Sequence, residues 1–217
     1  MRTTERMRKL QSWTYEAVCR GRLLKTPASG MDVTKIERQE PKVYVAFFPS
    51  RPDETEWAEA AALNTVPSIL LMPVQGYAKN MEEQRFDRYS NIHRTKEMGQ
   101  TLSVQALFSV FEDGVRAPGF IDRARAGDMD LTLLREGTED GVCTLFNWMD
   151  DFTAALLGAK AIPDTDLSVI EASVTYSLYS DQKYVNDKRP LFYGFVNATF
   201  SCYANEADNE RIRELLQ

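Results

Sequence analysis

The chain has few of the residues on which metal sites and redox centres depend. Its 217 residues include one histidine and three cysteines, and the cysteines at positions 19, 143 and 202 are far apart. Zinc sites and redox dithiols need closely spaced ligands, so we expect Cys19, Cys143 and Cys202 to be small buried apolar residues. His93 has no second histidine with which to share a metal, and it is expected in an exposed loop. The sequence therefore predicts no metal and no cofactor.

Motifs for group transfer are also missing from the sequence. It contains no glycine-rich phosphate loop, no nucleophile elbow and no histidine-containing triad. The acidic pairs at Asp128 and Asp130 and at Asp150 and Asp151 lack the glycine and flanking oxygen ligands of a calcium loop. We expect a protein that is not an enzyme. A carboxylate-dependent enzyme stays open as the alternative, because 32 acidic residues produce accidental pairs.

Long apolar runs and an excess of positive charge are absent too. The closest approach to a membrane span, Thr65–Val74, is only half the necessary length of about 20 residues and contains two prolines. The basic start of the chain, Met1–Lys9, is not followed by the apolar run of a signal peptide. The net charge of −6 disfavours general binding to phosphates. We therefore expect a soluble protein with no membrane partner and no specific binding to nucleic acid, and an acidic wall past which DNA slides as passing cargo stays open.

Apolar spacing predicts two helices that pack on a sheet. Over Thr4–Leu24 the apolar residues recur every three or four positions, as on the buried face of an amphipathic helix. A second stripe from Asp140 to Gly158 includes Leu145, Met149, Phe152 and Leu156. Turn-forming residues at Thr26–Gly30 indicate a linker. Short helices are further expected at Asp53–Ala62 and Asp208–Leu216.

Five segments have the pattern of β-strands. Pro41–Pro49 and Pro67–Pro73 are apolar runs bounded by prolines, whereas Thr101–Phe111, Ala172–Tyr179 and Leu191–Tyr203 alternate apolar with polar residues. The last two are expected to form an antiparallel pair. The predicted fold class is α+β, with a mainly antiparallel sheet of about four to five strands on which the N-terminal helix and the second helix pack. Residues 1–217 are expected to form a single domain.

Two polar excursions and a group of aromatic residues are candidates for an interface. The excursions run over residues 74–100 and 115–137 and lack apolar periodicity, which in a compact domain is typical of functional or disordered segments. Aromatic residues concentrate near the C-terminal strands, and some fall on the face opposite the predicted core, where a neighbouring subunit or a helix of the same chain could cover them. The candidate interface residues are Arg85, Arg88, His93, Arg123, Arg125, Tyr179, Tyr184, Tyr193, Phe195 and Tyr203.

The order of these elements resembles a known family. An N-terminal helix, proline-bounded strands, a long alternating strand, an amphipathic helix and a C-terminal β-pair follow one another as in the tail-terminator, or tail-completion, proteins of long-tailed, siphovirus-type bacteriophages. The segments that carry the resemblance are Pro41–Pro49, Val66–Pro73, Thr101–Phe111, Leu145–Leu157, Tyr176–Gln182 with its Tyr-x-x-Tyr-x-x-Gln spacing, and Pro190–Val196. The two excursions make the chain longer than a compact member of that family.

The resemblance implies a structural role in the virion. It implies a homo-oligomeric ring, expected to be a hexamer, that caps the tail tube and meets the head–tail connector protein. The protein would then be located at the head–tail junction after assembly in the bacterial host cytoplasm. A head-completion or neck protein shares the same composition and stays open as an alternative.

Overall fold

Two α-helices and eight strands form the part of the chain that the computed structural model describes, residues 1–29, 32–47, 65–80, 98–112, 131–178 and 191–203. This arrangement confirms the α+β class. Among these residues no helix is both long enough and apolar enough to cross a membrane. In chain order the elements are α1 (Thr3–Thr14), a π-helical turn (Tyr15–Cys19), β1 (Leu24–Ser29), β2 (Asp32–Gln39), β3 (Lys42–Val45), β4 (Ser68–Asn80), β5 (Met98–Phe111), α2 (Leu131–Ala159), β6 (Ser168–Val169), a 3₁₀ turn (Glu171–Ser173), β7 (Thr175–Leu178) and β8 (Leu191–Tyr203).

A six-stranded sheet organises these elements around three long strands. Its order is β3-β4-β5-β8-β6, and β7 also pairs with β8. Only β3 and β4 are parallel, and the other pairs are antiparallel. Strand β5 pairs with β8 along its length, from Gly99 opposite Tyr203 to Phe111 opposite Leu191. Strands β1 and β2 form a separate antiparallel hairpin.

The helices cover one face of the sheet, here called the inner face. Alternate residues of β5 and β8, among them Val104, Phe108, Val196 and Phe200, point to this face and are buried, as their alternation predicts. Helix α2 packs Trp148 edge-on against Phe108, with ring centroids 5.1 Å apart. The Trp148 indole Nε1 donates a hydrogen bond of 3.1 Å to the carbonyl of Val18, which ties α2 to the π-helical turn.

Helix α2 approaches the sheet closely at two glycines. A Cβ atom placed on Gly194 would lie 2.5 Å from Met149 Sδ, and one placed on Gly141 would lie 2.4 Å from the ring of Phe192. Contacts this short do not occur between real side chains, so glycine at both positions is what lets the helix lie directly on β8. A Cβ atom placed on Gly158, which belongs to the same helix, would have no neighbour within 4 Å.

An ion pair between the buried Arg6 and the half-buried Asp166 fixes α1 to the segment that follows α2. Arg6 is buried, and its guanidinium donates to both carboxylate oxygens of Asp166, through Nε at 2.9 Å and through Nη2. Arg6 Nη1 also donates to Gln100 Oε1 of β5 at 3.1 Å. The hydrogen bond from Arg6 lowers the pKa of Asp166, which keeps the carboxylate ionised.

The N-terminal helix differs from the continuous helix predicted over Thr4–Leu24. The α-helix ends at Thr14, and the π-helical turn that follows adds an extra residue per turn. This rotates the buried face, so Ala17 is exposed whereas Cys19 is buried. Gly21 then takes a positive φ of 76° and ends the segment.

The predicted bounds of the linker, of the strand at Ala172–Tyr179 and of both excursions differ from those in the structure. The linker at Thr26–Gly30 lies mostly in β1 of the hairpin, and Ala172 and Ser173 lie in the 3₁₀ turn rather than in β7. The excursion at 74–100 is shorter than predicted because β4 continues to Asn80 and β5 begins at Met98, and the excursion at 115–137 ends earlier because α2 begins at Leu131. Pairing of backbone groups between β4 and β5 sustains strand structure there without apolar alternation. The short helices predicted at 53–62 and 208–216 lie outside the described residues.

The two helical glycines permit a matched test of the close approach. Gly141→Ala should destabilise the protein by about 1–3 kcal/mol, because the new methyl group collides with the buried Phe192 ring. Gly158→Ala should instead be neutral or stabilising by up to about 1 kcal/mol, since alanine favours the helix and meets no neighbour. Urea denaturation of both variants measures the difference. Equal effects would contradict the packing of α2 on β8.

The ion pair between Arg6 and Asp166 should be costly to break and less costly to replace. Asp166→Leu should lower the free energy of unfolding by about 3 kcal/mol, because it removes the carboxylate that faces the buried Arg6 guanidinium. The double variant Arg6→Met with Asp166→Leu should be the more stable of the two, since no buried charge then remains at this position. Thermal denaturation of the wild type and both variants tests this order, and a double variant less stable than Asp166→Leu would contradict it.

Candidate assembly surface

The face of the sheet opposite the helices, here called the outer face, is built by the remaining alternate residues. Cross-strand register places Tyr44 beside Leu70, Leu70 beside Leu107, and Leu107 beside Phe195. These four residues form an apolar row across β3, β4, β5 and β8. Leu70 is buried and the other three are half-buried.

Tyr193 lies next to this row on β8, opposite Ser109 of β5. Its side chain is half-buried, and burial raises the pKa of Tyr193 to about 12. Ser109 is buried, and its hydroxyl lies 3.1 Å from that of the buried Ser68. The predicted outer-face position of Tyr193 and Phe195 agrees with this register. Both side chains are half-buried, however, so they do not form a fully exposed aromatic surface.

The β1–β2 hairpin covers one end of the outer face. Ile36 and Leu191 both pack against the buried side chains of Val66 and Phe111. Thr26 Oγ1 and Gln39 Nε2 both donate to the carbonyl of Val66, at 2.8 and 3.1 Å. An ion pair between Lys25 and Glu112 adds a further link. A hairpin of the same chain therefore covers part of a surface for which the sequence suggested a helix or a neighbouring subunit.

Beyond the apolar row the outer face becomes polar and uncharged. Gln105 Nε2 donates to Asn197 Oδ1 at 3.1 Å, and Asn197 Nδ2 donates to Thr175 Oγ1 at 3.4 Å. The hydroxyls of Ser103 and Thr199 lie 2.9 Å apart. We call this surface the polar ladder, and on β5, β7 and β8 it consists of Thr101, Ser103, Gln105, Thr175, Ser177, Asn197, Thr199 and Ser201.

Two exposed apolar side chains lie near the corner of the sheet where β3 ends. Ala46 takes a positive φ of 67°, and Phe47, directly after it, is 84% exposed. On the adjacent strand the β4–β5 register shifts between Pro73 and Gln75, and Val74 at this bulge is 64% exposed. We call Phe47 and Val74 the corner patch.

Most of the interface residues predicted from the sequence are not placed by the structure. Of the ten, the structure gives side-chain positions only for Tyr193 and Phe195, which lie two residues apart on one strand face. Tyr203 ends β8, and its side chain is not described. Arg85, Arg88, His93, Arg123, Arg125, Tyr179 and Tyr184 lie outside the described residues. Phe47 was missed because it belongs to the apolar run Pro41–Pro49, which predicts a core strand, whereas Val74 begins the excursion over residues 74–100 that was a candidate interface segment.

The cysteines only partly follow their prediction. Cys19 and Cys202 are buried, and burial raises the pKa of Cys19 to about 12. Cys143 is exposed on α2, which contradicts its predicted burial, because it lies on the side of the helix turned away from Leu145 and Trp148. Within the described residues no group of three or more histidine, cysteine, aspartate or glutamate side chains is placed to hold a metal ion.

Comparison with known proteins gives no family for this chain. No protein-family model matches it, and no curated protein matches it significantly.

The half-buried phenol of Tyr193 should make stability depend on alkaline pH. Its pKa in the folded protein, about 12, is above the value of about 10 expected for the unfolded chain. The folded state therefore binds the phenolic proton more tightly, and its stability should fall as the pH rises from about 10 towards 12. Tyr193→Phe should reduce that fall by about 1–2 kcal/mol. Urea denaturation at pH 8 and pH 11 compares the two proteins, and an unchanged pH dependence would contradict the burial of this phenol.

Proposed function

We propose that the protein is a structural assembly protein of a phage virion, a tail terminator that caps the tail tube and joins it to the head connector. The proposal rests on the resemblance in element order to tail-terminator proteins. It is supported by the α+β fold, in which both helices lie on one face of the sheet and the β1–β2 hairpin covers only one end of the other face.

The corner patch is the observation that favours an assembly role most. Phe47 and Val74 are large apolar residues that the subunit leaves 84% and 64% exposed. A ring closes through contacts in which one patch meets a different patch on the next copy. The corner patch supplies one such surface at the end of the β3–β4 pair, and aromatic anchors are typical of the centres of protein interfaces.

The polar ladder is compatible with DNA as passing cargo. Its eight side chains are hydroxyls and amides without a formal charge, and several of them already hydrogen bond to one another. Such a surface neither releases counterions from phosphates nor repels them, so it supports sliding better than tight binding. The net charge of −6 favours the same behaviour.

Removing the corner patch should weaken assembly without unfolding the subunit. The double variant Phe47→Ser with Val74→Ser should cap tail-tube subunits at least tenfold less efficiently than the wild type, because both side chains are mainly exposed and contribute little to the core. Electron microscopy of mixtures with tail-tube protein measures capped tubes of defined length, and thermal denaturation checks the fold. Leu23→Ser is the matched control, since Leu23 is an apolar residue that is 55% exposed in the turn before β1.

The same experiment separates the terminator from its alternatives. If the wild-type protein neither caps tubes nor forms rings at high concentration, the terminator function is wrong. Binding to head connectors without binding to tube ends would favour a head-completion or neck protein.

A further inference from the structure

The two ends of the sheet differ in how their edge strands are protected. At the β3 end, the carbonyl of Val43 accepts a hydrogen bond of 2.6 Å from Gln11 Nε2, and the carbonyl of Val45 accepts one of 2.8 Å from the backbone N–H of Phe47. Where β4 extends past β3, Pro73 has no N–H to offer and a bulge follows it. Prolines and bulges are common devices against unwanted strand pairing.

Strand β7, at the other end, contains no proline and no bulge. Its four residues, Thr-Tyr-Ser-Leu, include no charge and no proline, and all four are exposed. In the described residues β7 pairs with β8 alone. An edge of this kind can accept another strand.

The direction of the β7 backbone follows from the contacts of Thr199 on β8. The carbonyl of Thr199 accepts from the N–H of Ile170, and its N–H donates to Ser173 Oγ, so Thr199 directs its backbone groups away from β5. Strand periodicity gives Asn197 and Phe195 the same direction. Their partners Thr175 and Ser177 therefore point their backbone groups at β8. The N–H and C=O groups of Tyr176 and Leu178 consequently point outward, and the Leu178 carbonyl accepts from Ser177 Oγ at 3.0 Å with one lone pair left over.

The side chains at these two positions share one face. Tyr176 lies opposite the buried Val196, and Leu178 lies opposite Gly194, so both project on the inner face beside α2. Tyr176 is 55% exposed and Leu178 is 36% exposed. The residues with outward backbone groups are thus also the residues with unburied apolar side chains.

We propose that β7 is a self-complementary edge that pairs antiparallel with β7 of a second copy, on a two-fold axis through Ser177. In this register Tyr176 of each copy faces Leu178 of the other, and each such pair exchanges both backbone hydrogen bonds. The same register places the ring of each Tyr176 beside the Leu178 side chain of the other copy, an aromatic–aliphatic pair of the kind that stabilises sheets. The strand carries no charge, so no like charges meet across the axis. A second copy is therefore the partner that this edge fits.

The helices leave room for this pairing. The two copies of β8 would be separated by three strand spacings, about 14 Å. Helices packed side by side need about 8–10 Å, so the two copies of α2 do not collide. The space between them lies over Tyr176 and Leu178 of both copies, which the pairing partly buries.

The pairing is weak because few residues take part in it, and it does not depend on the proposed terminator function. Four residues from each copy bury far less than the roughly 1,200 Å² of a standard interface, and we expect a dissociation constant on the order of 10–100 μM. Because no charges take part, the constant should change little with salt. The contact uses the β7 edge rather than the corner patch, so failure of either proposal leaves the other standing.

A single cysteine on the axis tests the register directly. In a Cys143→Ser background, which removes the exposed native thiol, Ser177→Cys places two Cα atoms about 4.5 Å apart, within disulfide range. Mild oxidation should convert most of this variant to a covalent dimer. Thr175→Cys is the matched control, because its two copies would lie about 13 Å apart along the strands. No dimer from Ser177→Cys, or equal yields from both variants, would overturn the proposal.

Proline at Tyr176 tests the backbone contact. Tyr176→Pro removes an outward N–H while keeping the β7–β8 hydrogen bonds, which come from Thr175 and Ser177, whereas Tyr176→Ile keeps the N–H and suits a strand. In sedimentation equilibrium, Tyr176→Pro should raise the dissociation constant at least tenfold and Tyr176→Ile by less than threefold. A wild type that stays monomeric up to about 1 mM, or a proline variant that dimerises as well as the isoleucine variant, would contradict the pairing. Near-UV circular dichroism confirms that each variant keeps its core.

Discussion

The close apolar packing of α2 on the β5–β8 strand pair is the constraint on which the rest of the structure depends. It requires a helix without a Cβ at position 141, a strand without one at position 194, and a Trp148 ring that fills the space beside Phe108. Because the indole also donates to the carbonyl of Val18, the same contact fixes the π-helical turn. The π-helical turn then sets the direction in which the chain enters the β1–β2 hairpin.

Polar contacts then hold the peripheral elements to this core. Arg6 connects three parts of the chain that are distant in sequence, namely α1, β5 through Gln100, and the turn after α2 through Asp166. Glu40 accepts hydrogen bonds from the Tyr15 hydroxyl and from the Gly21 N–H, which lowers the pKa of its carboxyl group. Neither connection has a periodic signature in the sequence, since each depends on one residue meeting another far along the chain.

The sequence predicted the core better than it predicted the surface. The alternation on β5 and β8 identified the buried inner-face residues correctly, because a strand that buries one face has apolar side chains at every second residue. The β1–β2 hairpin was missed because its first strand contains Thr26, Pro27 and Ser29, which are ordinary turn residues, and it depends on contacts with Val66 and Phe111. Of the candidate surface, register on β8 gave the face of Tyr193 and Phe195. Their exposure depends on how other segments pack, which no local pattern encodes.

The bulge divides β4 into two halves with opposite alternation. Before it, odd-numbered residues such as Ile69 and Leu71 lie opposite Phe108 and Ala106 of the inner face, and after it Gly76 and Ala78 lie opposite Leu102 and Gln100. The extra residue, Val74, reverses the alternation within a single continuous strand. Deleting Val74 would make the strand regular and leave the residues after it opposite their present partners, because Pro73 and Gln75 already pair with consecutive residues of β5. Val74 can therefore be removed without shifting the register of β4 on β5.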